Sequence, residues 1–165
     1  QILNALMDSV KQWTLSGDVG VRFVYYATDA IESQVFDSWT DAKADLLANY
    51  VPVPVDNTRQ IIAAQKLATM QDSASLMFVV PQKEAYSNQA VALQDALDTG
   101  NMMSSLVKEK VTFFSPTMEK SEIESVYNLT SNVNVITDPA QLPDSIDPDA
   151  ELTTTSIPST MLTTE

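Results

Sequence analysis

Leu76-Met77-Phe78-Val79-Val80, followed by Pro81-Gln82-Lys83, decides how this chain reads. Five apolar residues in a row, with aromatic and β-branched members and a proline stop, form a strand. In an open α/β sheet the carboxyl ends of strands are where ligands, metals and catalytic groups gather. Here that position holds a ring that donates no hydrogen bond, an amide and a cation. None of them serves as an acid, a nucleophile or a hard-metal ligand.

Outward from this strand, helical and extended patterns alternate. Ile2, Leu3, Leu6, Val10 and Trp13 recur at helical spacing, and Ser16-Gly17-Asp18 closes that helix. Val19 to Ala27 is a nearly continuous apolar run, the pattern of a strand buried on both faces. Gln34 to Trp39 reads as a short edge strand. Thr40-Asp41 caps a helix reaching Tyr50, with Ala42, Leu46 and Leu47 turned inward.

Pro52 and Pro54 exclude helix from Val51 to Val55. Asp56, Asn57 or Thr58 is placed to cap the next helix, whose apolar stripe is Ile61, Ile62, Leu67 and Met70. Asn88 to Leu97 reads as a helix, Val111 to Phe114 as a strand, Glu119 to Leu129 as a helix and Val133 to Ile136 as a last strand. Pro139 to Pro143 suits one short docking turn. Such alternation predicts an α/β fold: a three-layer, doubly wound, Rossmann-like and mostly parallel sheet with helices on both faces. The expected domain is 1–146. Residues 147–165 turn acidic and then Thr/Ser/Pro-rich, with too little apolar matter to offset ordering entropy, and read as a disordered tail or linker.

Composition narrows the chemistry. Nine basic against 22 acidic residues give a net charge of −13. That field repels phosphate and disfavours nucleic acids and anionic membranes; basic protein surfaces or divalent cations fit it better, beside the plainer reading of acidity as a solubility device. With neither cysteine nor histidine, thiolate catalysis, zinc–sulfur sites, Ser-His-Asp triads and imidazole acid–base work are excluded. Three scattered glycines make no phosphate loop or dinucleotide fingerprint, so no cofactor is expected. No apolar run is long enough to span a bilayer. The chain opens on Gln1 and enters helical sequence at once, so it reads as a fragment or a processed product.

Two stretches resemble the von Willebrand factor A domain. Val19-Gly20-Val21-Arg22-Phe23-Val24-Tyr25-Tyr26-Ala27-Thr28-Asp29, with Val35-Phe36 and Asp41-Ala42-Lys43 after it, is similar to that family's second and third strands and the following helix. Val133-Asn134-Val135-Ile136-Thr137-Asp138-Pro139-Ala140-Gln141-Leu142 resembles its last strand and the approach to the closing helix. The order of elements agrees from Gln1 to about Ile146. The resemblance implies an adhesion-type module whose metal site draws on an Asp-x-Ser-x-Ser after the first strand, a Thr from a middle loop and an Asp after the fourth strand. In this chain the first strand would precede Gln1. The Thr position falls on Asp56, with Thr58 two residues on, and the Asp position falls on Pro81. Mg²⁺ and Ca²⁺ require carboxylate and hydroxyl oxygens, so no working metal site is expected.

The remaining candidates each meet a plainer reading. Asp29, Glu32 and Asp56 are candidates to gather a cation, but Asp29 suits a turn and Asp56 a helix cap. Trp13, Tyr25, Tyr26 and Trp39 could form an aromatic platform, though aromatics at such spacing usually pack a core. Met102-Met103 is either an adaptable contact surface or an inward-packed loop. Asn128-Leu129-Thr130 is an N-glycosylation acceptor pattern. The functional expectation is a non-enzymatic, metal-independent protein-interaction or adhesion module of a larger extracellular, multidomain glycoprotein. Two alternatives stand beside it: a metal-dependent adhesion domain whose Asp-x-Ser-x-Ser lies upstream, and a small-molecule-binding or enzymatic domain on another doubly wound fold.

Overall fold

The computed structural model describes residues 2–10, 20–50, 59–70, 75–81, 89–106 and 110–142. Trp13, Asp56, Thr58, Gln82, Lys83 and the stretch 147–165 lie outside them. The protein is an α/β fold. In chain order the elements are α1 (Ile2–Val10), β1 (Val24–Tyr26), β2 (Ala30–Glu32), α2 (Trp39–Asn49), α3 (Gln60–Ala68), β3 (Ser75–Val79), α4 (Gln89–Ser104), β4 (Lys110–Phe114), α5 (Lys120–Tyr127) and β5 (Asn134–Ile136), then a single 3₁₀ turn, Pro139–Gln141.

β3, β4 and β5 form a parallel sheet in that order, with Phe78 opposite Phe113 and Phe113 opposite Val135. β1 and β2 form a separate antiparallel pair, in which Tyr25 lies opposite Ile31. The expected edge strand at Gln34 to Trp39 is a correction. The ladder uses Ala30–Glu32 instead, and the later segment contributes only a bridge between Phe36 and Val21. A tight reversal explains the difference. Ala27 N–H donates to the Asp29 carbonyl, and the Asp29 carboxylate accepts from Ala30 N–H at 2.8 Å. The chain is thereby turned back four residues early. Trp39, expected at the end of that strand, opens α2.

Two apolar clusters form, and successive residues of β3 alternate between them, as a pleated strand requires. Leu76, Phe78 and Val80 join Val111, Phe113, Val133 and Val135, together with Ala63 and Ala64 of α3, Ala96 and Met103 of α4, and Ile123 and Tyr127 of α5. Met77 and Val79 instead meet Phe114, Leu142, Leu6 of α1 and Leu46 of α2. β1 feeds the same two clusters: Val24 and Tyr26 enter the first, Tyr25 the second. The α2 stripe is narrower than expected. Ala42 and Leu46 are buried, whereas Leu47 faces solvent.

α4 is twice corrected. It runs past Leu97 to Ser104, which places Met102-Met103 in its last turn, with Met103 fully buried in the first cluster. Helix continues through Gly100, where α5 comes so close that only a glycine fits. α3 receives a cap from another helix, while Asp56, Asn57 and Thr58 lie outside the described residues. The Asp95 carboxylate of α4 accepts from Gln60 N–H at 2.7 Å and Ile61 N–H at 3.2 Å, satisfying amides that a helix start otherwise leaves unpaired. The negative charge also suits the positive end of the helix dipole. Asp95→Ala is expected to cost about 2 kcal/mol and Asp95→Asn less, since the amide oxygen still accepts. Urea unfolding of the two variants measures this, and equal costs would refute the capping role.

Candidate functional site

The carboxyl ends of β3, β4 and β5 lie on one edge of their parallel sheet. The end of β1 joins them, because the Tyr26 hydroxyl donates to the Val79 carbonyl at 2.7 Å. Pro81 is partly buried after β3, where it supplies neither charge nor donor. After β4, the buried Ser115 hydroxyl accepts from Thr117 N–H and Met118 N–H, both at 3.2 Å, and lies 3.3 Å from the Thr117 hydroxyl. After β5, Asp138 accepts from Ala140 N–H at 3.0 Å and opens the 3₁₀ turn. Beside β1, Asp29 is bound to its own turn, and Arg59 N–H donates to the Ala27 carbonyl at 2.7 Å.

Among the described residues, the polar side chains of Asp29, Ser115 and Asp138 thus close the turns that carry them. Oxygen acceptors directed at local amides do not converge on a common point, which a bound ion or reacting group needs. Asp29 and Glu32 sit at opposite ends of the reversal and of β2, and Glu32 lies 3.9 Å from the Arg22 guanidinium. Asp56 and Thr58 are outside the described residues. Among the described residues, no three His, Cys, Asp or Glu side chains group as metal ligands would.

The aromatic candidates divide. Tyr26 packs on Phe78 with centroids 5.4 Å apart, Phe78 stacks on Phe113 at 5.2 Å, and Tyr127 meets Phe113 edge-on at 5.0 Å. This is a core assembly, not a ligand platform. Tyr25 lies in the other cluster, and its hydroxyl donates to the Asp45 carboxylate of α2 at 2.7 Å. Partial burial, then the hydrogen bond and negative charge of Asp45, raise its pKa well above the ordinary tyrosine range, and burial raises that of Tyr50.

A pH dependence follows. A phenol whose folded pKa is raised contributes stability that is fully present below about pH 10 and lost as the pH rises beyond it. Absorbance at 295 nm during alkaline titration should show Tyr25 and Tyr50 ionising only as the protein unfolds. Tyr25→Phe is expected to cost about 1 kcal/mol near neutral pH and to flatten the alkaline loss of stability. Normal ionisation of all five tyrosines in a still-folded protein would refute the assignment.

Asn128 ends α5 in the left-handed conformation, with φ 50° and ψ 49°, which asparagine tolerates better than most residues. Its side chain and that of Thr130 are exposed, so the acceptor pattern is at the surface. Sequence reading missed Asp95 and Gly100 as organising residues. A lone mid-helix glycine is a signal of close approach, whereas nothing local marks Asp95.

Comparison with protein-family models, curated proteins and solved structures finds no match to this chain. Among the described residues, no helix is long and apolar enough to cross a membrane.

Proposed function

We propose that the chain is a non-catalytic protein-interaction module of a larger extracellular protein, built on a doubly wound, three-layer sheet like that of a von Willebrand factor A domain. The division of the helices supports this architecture: α1 and α2 serve one cluster, α3, α4 and α5 the other. One observation carries the functional reading. Among the described residues, the rim where such sheets act holds Pro81 and the self-satisfied Ser115, Asp138 and Asp29, which supports recognition by surface shape and charge. A net charge of −13 fits partners with basic surfaces.

Calorimetric titration with Mg²⁺ and Ca²⁺ is expected to give no saturable heat and no gain in melting temperature. Retention on immobilised basic extracellular domains should survive EDTA and weaken between 0.05 and 0.5 M salt, as screening requires at roughly these ionic strengths. Micromolar or tighter cation binding, or capture abolished by EDTA, would sink the metal-independent reading.

A further inference from the structure

We infer that the outer edge of β2 is a docking site for an extended basic segment of a partner protein, which adds to it as a further strand. Ser33 N–H donates to the Phe23 carbonyl and Ala27 N–H to the Asp29 carbonyl. The hydrogen-bonded pairs of this antiparallel ladder are therefore Phe23 with Ser33 and Tyr25 with Ile31. Ala30 and Glu32 alternate with them and direct their N–H and C=O groups away from β1. On that side, among the described residues, β2 has no strand neighbour. Ile31, between the two, is 68% exposed.

Both ends of this stretch are closed by the chain itself. At one, the Asp29 carboxylate takes the Ala30 N–H. At the other the ladder resumes with Phe36 bonded to Val21, so Gln34 and Val35 together oppose Arg22 as a β-bulge. The Ser33 hydroxyl accepts from Phe23 N–H at 2.9 Å and donates to the Gln34 carbonyl at 2.7 Å, which holds the bulge. Such devices keep an edge from pairing indiscriminately. Between them remain the Ala30 carbonyl and both backbone groups of Glu32, enough to fix the register of one short strand.

Charge selects the occupant. From Gly20 to Ser38 the hairpin carries Asp29, Glu32 and Asp37 against Arg22 alone. Like charges directly opposite one another destabilise a strand pair, so a second copy of the same acidic edge is a poor occupant. A segment with Lys or Arg opposite Glu32 and an apolar residue opposite Ile31 complements both side chains, because neighbouring residues of a strand take opposite faces. In strand addition of this kind, main-chain bonds supply affinity and alternate side chains supply specificity. The basic character of the partner rests on the functional reading; the surface and the mode of binding are additional to it.

A peptide of about ten residues alternating Lys and Val tests it, beside a Lys-Pro peptide of equal length and charge that lacks half of the amide donors. In an NMR titration of the 165-residue chain, the Lys-Val peptide should shift the amides of Asp29 to Ser33 first. It should also slow exchange of the Glu32 amide at least about tenfold. The Lys-Pro peptide should bind at least about tenfold more weakly. Glu32→Pro, which removes an outward N–H and no ladder bond, should weaken the Lys-Val peptide by a similar factor. Glu32→Lys, which keeps the backbone intact, should weaken it as well, so the test stands even where the proline variant fails to fold. Equal binding of the two peptides, shifts centred on another surface, or Glu32 protection that rises with protein concentration alone would overturn the edge and leave the functional reading standing. Failure of both peptides and of the immobilised basic domains to bind would overturn both.

Discussion

Gly100→Ala is expected to destabilise the protein by about 3 kcal/mol or more, against a usual gain of about 1 kcal/mol for the same change inside a helix. A Cβ at this position would fall inside the Tyr127 carbonyl oxygen, 2.6 Å from its carbonyl carbon and 2.8 Å from its Cβ. The obstructing atoms are mainly backbone at the last residue of α5, so no rotamer change relieves the clash and the two helices must separate. Gly20 offers a contrast: there the Cβ would meet the Val35 side chain at 2.7 Å and the Phe36 carbonyl oxygen at 2.9 Å, and the exposed Val35 is able to swing away. Guanidinium unfolding of the two alanine variants should therefore rank Gly100 well above Gly20. A neutral or stabilising effect at Gly100 would show that α4 and α5 are not packed this closely.

Phe113→Ala should cost about 3–5 kcal/mol, the range for truncating a fully buried phenylalanine. Phe113 is in β4, the central strand of the parallel sheet, with no exposed surface. It stacks on Phe78 and receives Tyr127 edge-on, so deleting the ring leaves a cavity and removes two aromatic contacts at once. Set against a typical total of 5–15 kcal/mol, the loss is a large fraction of what holds the domain. Phe113→Leu, which refills most of the volume, should recover more than half of it. The same chemical denaturation reads both variants, and a cost below about 1 kcal/mol for the alanine would contradict the packing.

The parallel strands were legible because they are apolar on both sides: Leu76 to Val80 and Val111 to Phe114 stand out against any neighbouring sequence. β2 was not. Ala30-Ile31-Glu32 is short, and Ile31 and Glu32 are exposed, so its pairing derives from the Asp29 reversal and not from its own residues. Gln34 to Trp39 reads as the edge strand, yet Val35 faces solvent and Trp39 begins a helix. The full length of α4 was hidden by Gly100, which reads locally as a stop and acts as a clearance. The Asp95 cap spans 35 residues, beyond the reach of any local pattern. At the strand rim, the absence of an ionisable group at Pro81 was visible in the sequence. The turn-closing roles of Ser115 and Asp138 emerged only with hydrogen-bond geometry.

Tyr127 gathers several of these features on one residue. Its backbone leaves room only for Gly100, its ring lies on Phe113 and Phe78, and its hydroxyl donates to the buried Gln60 side chain. Gln60 is in turn the first residue of α3 and is held by Asp95. Substitutions at Gly100, Phe113, Gln60 and Asp95 thus perturb one shared junction and not four separate contacts. Their energies will not sum, with couplings of about 0.5–3 kcal/mol between pairs, and no single member has a stability contribution that is its own.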